Sequence, residues 1–158
     1  MLVLVVDSST PAVTAALAEV TADAVLLRAR RCTVNARAHG ELLAPQVDAV
    51  LDEAGARPAD LAAIVAGVGP GPFTGLRVGL VTAASMGQAL GVPTYGVCSL
   101  DALAHAVLSD SHGPILAASD ARRREIYWAV YGPDGTRLAG PAVDTPTAVA
   151  ARARELAV

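Results

Sequence analysis

The chain contains no lysine: all twelve of its basic residues are arginine. That one absence removes whole classes of chemistry. A Walker-type phosphate loop needs its lysine to bring charge to the phosphates. Schiff-base and pyridoxal-phosphate enzymes need a lysine amine, and a protein kinase needs a strand lysine on the nucleotide. Aromatic residues are nearly as scarce, one Phe, one Trp and three Tyr in 158 residues, so the core has to be built from Ala, Val and Leu. The only two cysteines, Cys32 and Cys98, lie far apart and form no paired motif. They speak for a reducing compartment and against a zinc or redox site. The opening run Met1 to Val6 carries no basic leader and is too short for a signal peptide or a membrane span. A soluble cytoplasmic protein without a membrane partner is expected.

What is present is a chain 53% apolar and 17% charged, with a formal net charge of −3. It has enough apolar surface for a real core, in one domain or two small lobes. Its charge balance gives no general attraction for nucleic acid.

Leu2 to Val6 reads as a strand buried on both faces, ending at Asp7. Ala12–Val20 and Ala24–Cys32 read as two further strands joined by a turn at Thr21-Ala22-Asp23. From Glu41 to Ala54 the period changes. Leu43, Val47, Val50, Leu51 and Ala54 form one apolar helix stripe, with Gly55 at its end and Pro58 just beyond. Pro45 must lie in the first turn or bend the helix. A strand over Ala62–Val68, a helix over Thr74–Leu90, a strand over Pro93–Val97 and a helix over Ser99–Leu108 follow. After Gly113-Pro114 the pattern restarts: a strand from Ile115 ending at Asp120, strands over Ile126–Tyr131 and Thr136–Val143, then a helix opened by Thr145-Pro146. The expected fold is therefore a duplicated α/β arrangement. Residues 1–112 form an N-terminal lobe, and residues 113–158 the start of a second one, shortened after its first helix.

In duplicated folds of the actin and sugar-kinase type, nucleotide phosphates sit at the two junctions corresponding to Asp7 and Asp120. Asp7, Ser9 and Thr10 are weak candidates for contacting a nucleotide, but neither Asp7-Ser8-Ser9-Thr10 nor Asp120-Ala121-Arg122 contains the glycine that permits close backbone approach. Asp holding a turn at a strand end is the favoured reading. Within the Thr74–Leu90 helix, Gly75, Gly79, Ala83 and Gly87 recur every four residues. Helical glycine costs about 1 kcal/mol against alanine, so this ridge needs a packing cause. It packs either on the protein's own sheet or against a helix from a partner. His39, His105 and His112 lack metal-ligand spacing, and no serine stands in a nucleophile elbow. No catalytic residue and no metal ligand are expected. Arg122-Arg123-Arg124 could touch RNA phosphate, although a solvated hairpin rim is the simpler reading.

The sequence resembles the TsaB (YeaZ) family, the dimerisation subunit of the bacterial tRNA threonylcarbamoyladenosine complex. The resemblance is carried by Leu4 to Thr10, Arg37-Ala38-His39-Gly40-Glu41-Leu42-Leu43-Ala44-Pro45, Gly69-Pro70-Gly71-Pro72-Phe73-Thr74-Gly75-Leu76-Arg77-Val78-Gly79, Cys98-Ser99-Leu100-Asp101, and Asp120 to Ala129, in that order. It implies an actin-like, ribonuclease-H-like fold that has lost catalysis. It also implies dimerisation through the two N-lobe helices, which places Leu43, Val47, Val50, Ala54, Gly75, Gly79, Ala83 and Gly87 at the interface. The implied partners are the catalytic paralogue TsaD, the ATPase TsaE and a second copy of the chain, with tRNA met only through the complex. The resemblance implies no cofactor held by this chain and leaves open a nucleotide at the subunit junction. Gly40 departs from the family, which has a small hydroxyl residue at that helix start. The alternative function is a nucleotide-dependent phosphotransferase using Asp7 and Thr10.

Overall fold

The computed structural model describes residues 1–155, which fall into two units: residues 1–68 with 72–97, and residues 69–71 with 98 onward.

The first unit is built on β1 (Leu2–Asp7). Its apolar residues on both faces suit a central strand, and both its edges are paired. β2 (Ala12–Val20) runs antiparallel to it, from Leu2 opposite Glu19 to Asp7 opposite Thr14, and β4 (Ala63–Gly67) runs parallel on the other side, with Val6 opposite Ala66. β3 (Val25–Val34) pairs with β2 and β5 (Thr94–Val97) with β4, so the sheet order is β3-β2-β1-β4-β5. Along β3 only Ala29 is buried, as the alternating Arg28 and Arg30 of an edge strand require. The β2–β3 turn is closed by Thr21, whose backbone N–H and hydroxyl both donate to the Ala24 carbonyl.

Two helices of this unit, α1 (His39–Glu53) and α2 (Phe73–Leu90), cover the sheet, α1 over β2 and β3, α2 over β4 and β1. Leu43, Val47, Val50 and Leu51 from α1 meet Leu4, Val6, Leu17 and Ile64 from the strands in one core. Ala38 caps α1, and no side chain bonds to the helix start. Pro45 lies past the first turn, inside the helix, on its exposed side. α2 ends at Gly91, which takes the left-handed φ of 67° that suits a residue without Cβ.

The second unit repeats the opening of the first. β6 (Ile115–Arg122), β7 (Glu125–Tyr131) and β8 (Arg137–Asp144) form an antiparallel sheet in that order, followed by α4 (Pro146–Glu155). α3 (Ser99–His105) lies on one face, with Leu100 and Ala104 against Ile115, Ala117, Ala129 and Tyr131. On the other face Val149 of α4 meets Trp128 and Val130, and Pro146 is the first helical residue, as the sequence predicts. Two details depart from the sequence reading. α3 stops at His105 and gives way to a short 3-10 helix at Leu108–Asp110, so the α-helix does not extend through Val107 and Leu108. α3 also groups with the second sheet, where a division after residue 112 assigns it to the first lobe. Of the final helix and the 113–158 segment, residues 156–158 lie outside the described residues.

Candidate functional site

The loop leaving β1 is the place where the fold class positions a phosphate, and here its polar groups turn inward. The Ser9 backbone N–H donates to Asp7 Oδ1 at 2.7 Å, and the Ala12 N–H donates to Thr10 Oγ1 at 3.1 Å. Both are side-chain-closed turns of the kind Asp and Thr form readily. The Asp7 carboxylate fills the space that a side chain at residue 67 would need. His39, buried at the start of α1, donates from Nε2 to the Thr10 carbonyl at 2.8 Å and so fastens the loop to the helix. His39 thus has a structural partner, and among the described residues no group of three or more His, Cys, Asp or Glu is placed to hold a metal.

Ser8 explains the small-residue ridge. Its hydroxyl donates to the Gly75 carbonyl at 2.8 Å and accepts the Gly79 N–H at 2.8 Å, placing one oxygen between two groups that an α-helix ordinarily joins to each other. A Cβ at residue 79 would stand 2.7 Å from Ser8 Oγ, and one at residue 75 only 3.1 Å from His39 Cε1 and 3.2 Å from the Ser8 carbonyl oxygen. Gly87 faces Thr94 in the same way, and Ala83 is buried in the core between them.

The packing shows where the interface positions read from the sequence lie in the isolated chain. Leu43, Val47, Val50, Gly79, Ala83 and Gly87 are buried within their own unit, while Ala54 and Gly75 are half-buried. In this unit the close approach that the ridge permits is made by the β1 loop and by β5. The outward faces of the same helices carry other residues. On α2, Phe73 is 70% and Val81 56% exposed, and the Arg77 guanidinium lies 5.2 Å from the Phe73 ring centroid. On α1, Glu41, Ala44, Pro45, Asp48 and Asp52 face solvent.

In the second unit, Asp120 ends the regular part of β6, and its Oδ1 accepts the Arg122 N–H at 3.0 Å. The hairpin then turns through Arg122, Arg123 and Arg124, all exposed and all with positive φ, 64°, 51° and 66°. A polar cluster joins α3 to the sheet. The Tyr131 hydroxyl donates to Asp101 Oδ1 at 2.6 Å, and Arg137 grips both carboxylate oxygens of Asp101 at 2.6–2.8 Å. Burial pushes the Asp101 carboxyl up, but Tyr131 and Arg137 outweigh it and hold it below the usual carboxylate range. Burial, and then the hydrogen bond to Asp101, push the Tyr131 phenol up. Neither Ser8 nor this cluster is recognisable in the sequence, because every partner is distant along the chain. The only available signal was the four-residue spacing of Gly75 and Gly79.

A five-stranded mixed sheet with two helices on one face, followed by a unit that repeats its opening, defines a duplicated actin-like α/β protein. The profile of the tRNA N6-adenosine threonylcarbamoyltransferase family, TsaD, matches residues 32–156. An uncharacterized protein of Mycobacterium tuberculosis is 54% identical over 142 residues, covering 90% of this chain and 64% of that protein. The tRNA threonylcarbamoyladenosine biosynthesis protein TsaB of Escherichia coli is 36% identical over 109 residues, covering 65% of this chain and 47% of that protein. A solved Pseudomonas aeruginosa protein, described as similar to the peptidase YeaZ, superposes with a TM-score of 0.79 at 33% identity, over 92% of this chain and 67% of that one. The chain belongs to the tRNA N6-adenosine threonylcarbamoyltransferase family and is of the TsaB/YeaZ type. It spans less than two thirds of the M. tuberculosis and E. coli relatives' length.

Proposed function

We propose that the chain is a non-catalytic subunit that pairs with a TsaD-type paralogue in the cytoplasm and supports threonylcarbamoyl transfer to tRNA. One observation carries the non-catalytic reading: the β1 loop spends its Asp and hydroxyl groups on its own backbone and on α2. A nucleotide-binding loop would hold such groups ready for phosphate and metal. The relatives named for threonylcarbamoyladenosine biosynthesis supply the pathway. Pairing uses the outward surface of α1 and α2, with Phe73 and Val81 as its apolar anchors, and the same surface serves a second copy of the chain when the paralogue is absent. TsaE joins the pair, and tRNA is met in the complex.

Light scattering on the chain, alone and mixed with the paralogue of the same organism, tests the pairing. A homodimer that exchanges into a one-to-one heterodimer, and that Val81→Glu abolishes, is the expected result. A chain that ignores the paralogue refutes the proposal. The competing phosphotransferase reading requires magnesium-dependent ATP turnover that Asp7→Ala removes, and none is expected.

A further inference from the structure

The β6–β7 hairpin carries a conformational cost that its packing does not explain. Arg122 lies opposite Glu125, so Arg123 and Arg124 form a two-residue connection with positive φ at both positions. Asn-Gly or Asp-Gly normally supplies that geometry, because short polar residues and glycine tolerate left-handed backbone. Arg122 adds a third left-handed residue at a register shift between Asp120 and Arg122. None of the three side chains is buried, and among the described residues none makes an ion pair. The carboxylates closest in sequence are Asp120, which accepts the Arg122 backbone N–H, and Glu125. Outside the tip, nine arginines stand against fifteen acidic residues, so the rest of the chain is net acidic and gives a polyanion no general attraction. Strain kept at an exposed site marks side chains held there for use.

We infer that the Arg122–Arg124 tip is a contact for the phosphate backbone of RNA. The guanidinium fork matches phosphate oxygens in bidentate geometry, and such contacts position a nucleic acid without reading its sequence. The choice of RNA over an acidic peptide rests on the proposed place of the chain in tRNA modification. The three arginines are consecutive at one hairpin tip of a chain that is otherwise net acidic.

The test is the salt dependence of binding to an unmodified tRNA, measured for the chain alone and mixed with its TsaD-type paralogue, while light scattering follows pairing separately. Arg123→Asn/Arg124→Gly installs the residues the turn prefers. It should raise the unfolding midpoint by about 2–4 °C and lower the slope of log K against log salt by about 0.7–0.9 for each lost phosphate contact, leaving pairing intact. Arg122→Lys/Arg123→Lys/Arg124→Lys should retain the slope. A stabilised variant with unchanged slope overturns the inference, and so does a variant that loses stability, since the arginines would then be structural. A wild-type chain that binds no tRNA in either state also overturns it. Binding that acidic peptide displaces but excess tRNA does not would assign the tip to a protein partner and likewise overturn it. Failure of pairing with the tRNA slope intact would instead overturn the scaffold proposal alone.

Discussion

Substituting Gly79 by alanine tests the packing of α2 most directly, because two established tendencies give it opposite signs. At an exposed helix position the change is stabilising by about 1 kcal/mol, since alanine is the better helix former. Here the added Cβ would lie 2.7 Å from Ser8 Oγ, and the hydroxyl it displaces is the one that accepts the Gly79 N–H and donates to Gly75. Overpacking of this kind costs about 1–3 kcal/mol, and the disturbed hydrogen bonds cost about 1 kcal/mol more. A net loss near 2 kcal/mol is therefore expected, a fall in Tm of about 4–8 °C at this chain length. Ser8→Gly removes the obstruction. In that background Gly79→Ala should recover the stabilising sign, with a coupling energy of about 1–3 kcal/mol between the two sites. Urea unfolding of the four proteins in this double-mutant cycle measures it. Stabilisation by Gly79→Ala alone, or additive single changes, would refute the placement of Ser8 within the ridge. Under the interface reading drawn from the sequence, a bulky residue at 79 disrupts pairing in a folded monomer. The packing described here instead predicts loss of folding before any effect on pairing.

The cluster in the second unit gives a pH prediction. Because the folded Asp101 carboxyl lies below its usual range, its contribution to stability is complete above the unfolded pKa of about 4. It is lost as pH falls through the folded value. Asp101→Asn should flatten that acid limb in urea titrations repeated between about pH 5 and pH 2, and an unchanged limb would contradict it. Trp128 donates from Nε1 to Asp144 Oδ2 at 2.9 Å, so Trp128→Phe should cost about 1–2 kcal/mol, read as a lower urea midpoint; no change would show that the bond adds nothing net. Leu43→Ala, at a fully buried site, should cost about 2–5 kcal/mol. Val81→Glu, on the outward face of α2, should leave Tm within about a degree while removing association.

Much of this architecture is legible in the sequence because it is local. β1 shows as an unbroken apolar run, α1 as a stripe from Leu43 to Ala54, and α4 as a helix announced by Thr145-Pro146. The repeated strand-to-Asp junctions disclose the duplication. What escapes depends on contacts distant along the chain. A four-residue spacing of small side chains states that something comes close, but not whether it is Ser8 from the same chain or a helix from another. Leu43 and Val50 mark an apolar face, and an apolar face fits a core and an interface equally well. The hairpin at Arg122–Arg124 contains neither Gly nor Asn, so its left-handed backbone leaves no compositional trace. Asp101, Tyr131 and Arg137 look unremarkable until three separate elements bring them together.

That cluster also bears on how the second unit opens. α3 has only seven residues, well short of the length at which a helix persists in water by itself. Its place on the sheet depends on Leu100 and Ala104 and on the grip of Tyr131 and Arg137 on Asp101. Those two partners come from different strands, so releasing the carboxylate loosens α3 from β7 and β8 at once. In native-state hydrogen exchange, the amides of α3 and those of β7 and β8 flanking the clasp should therefore exchange with one common opening free energy, below that of the strands in the first unit. The Asp101 carboxylate is in effect the latch of a cooperative unit smaller than the lobe that contains it.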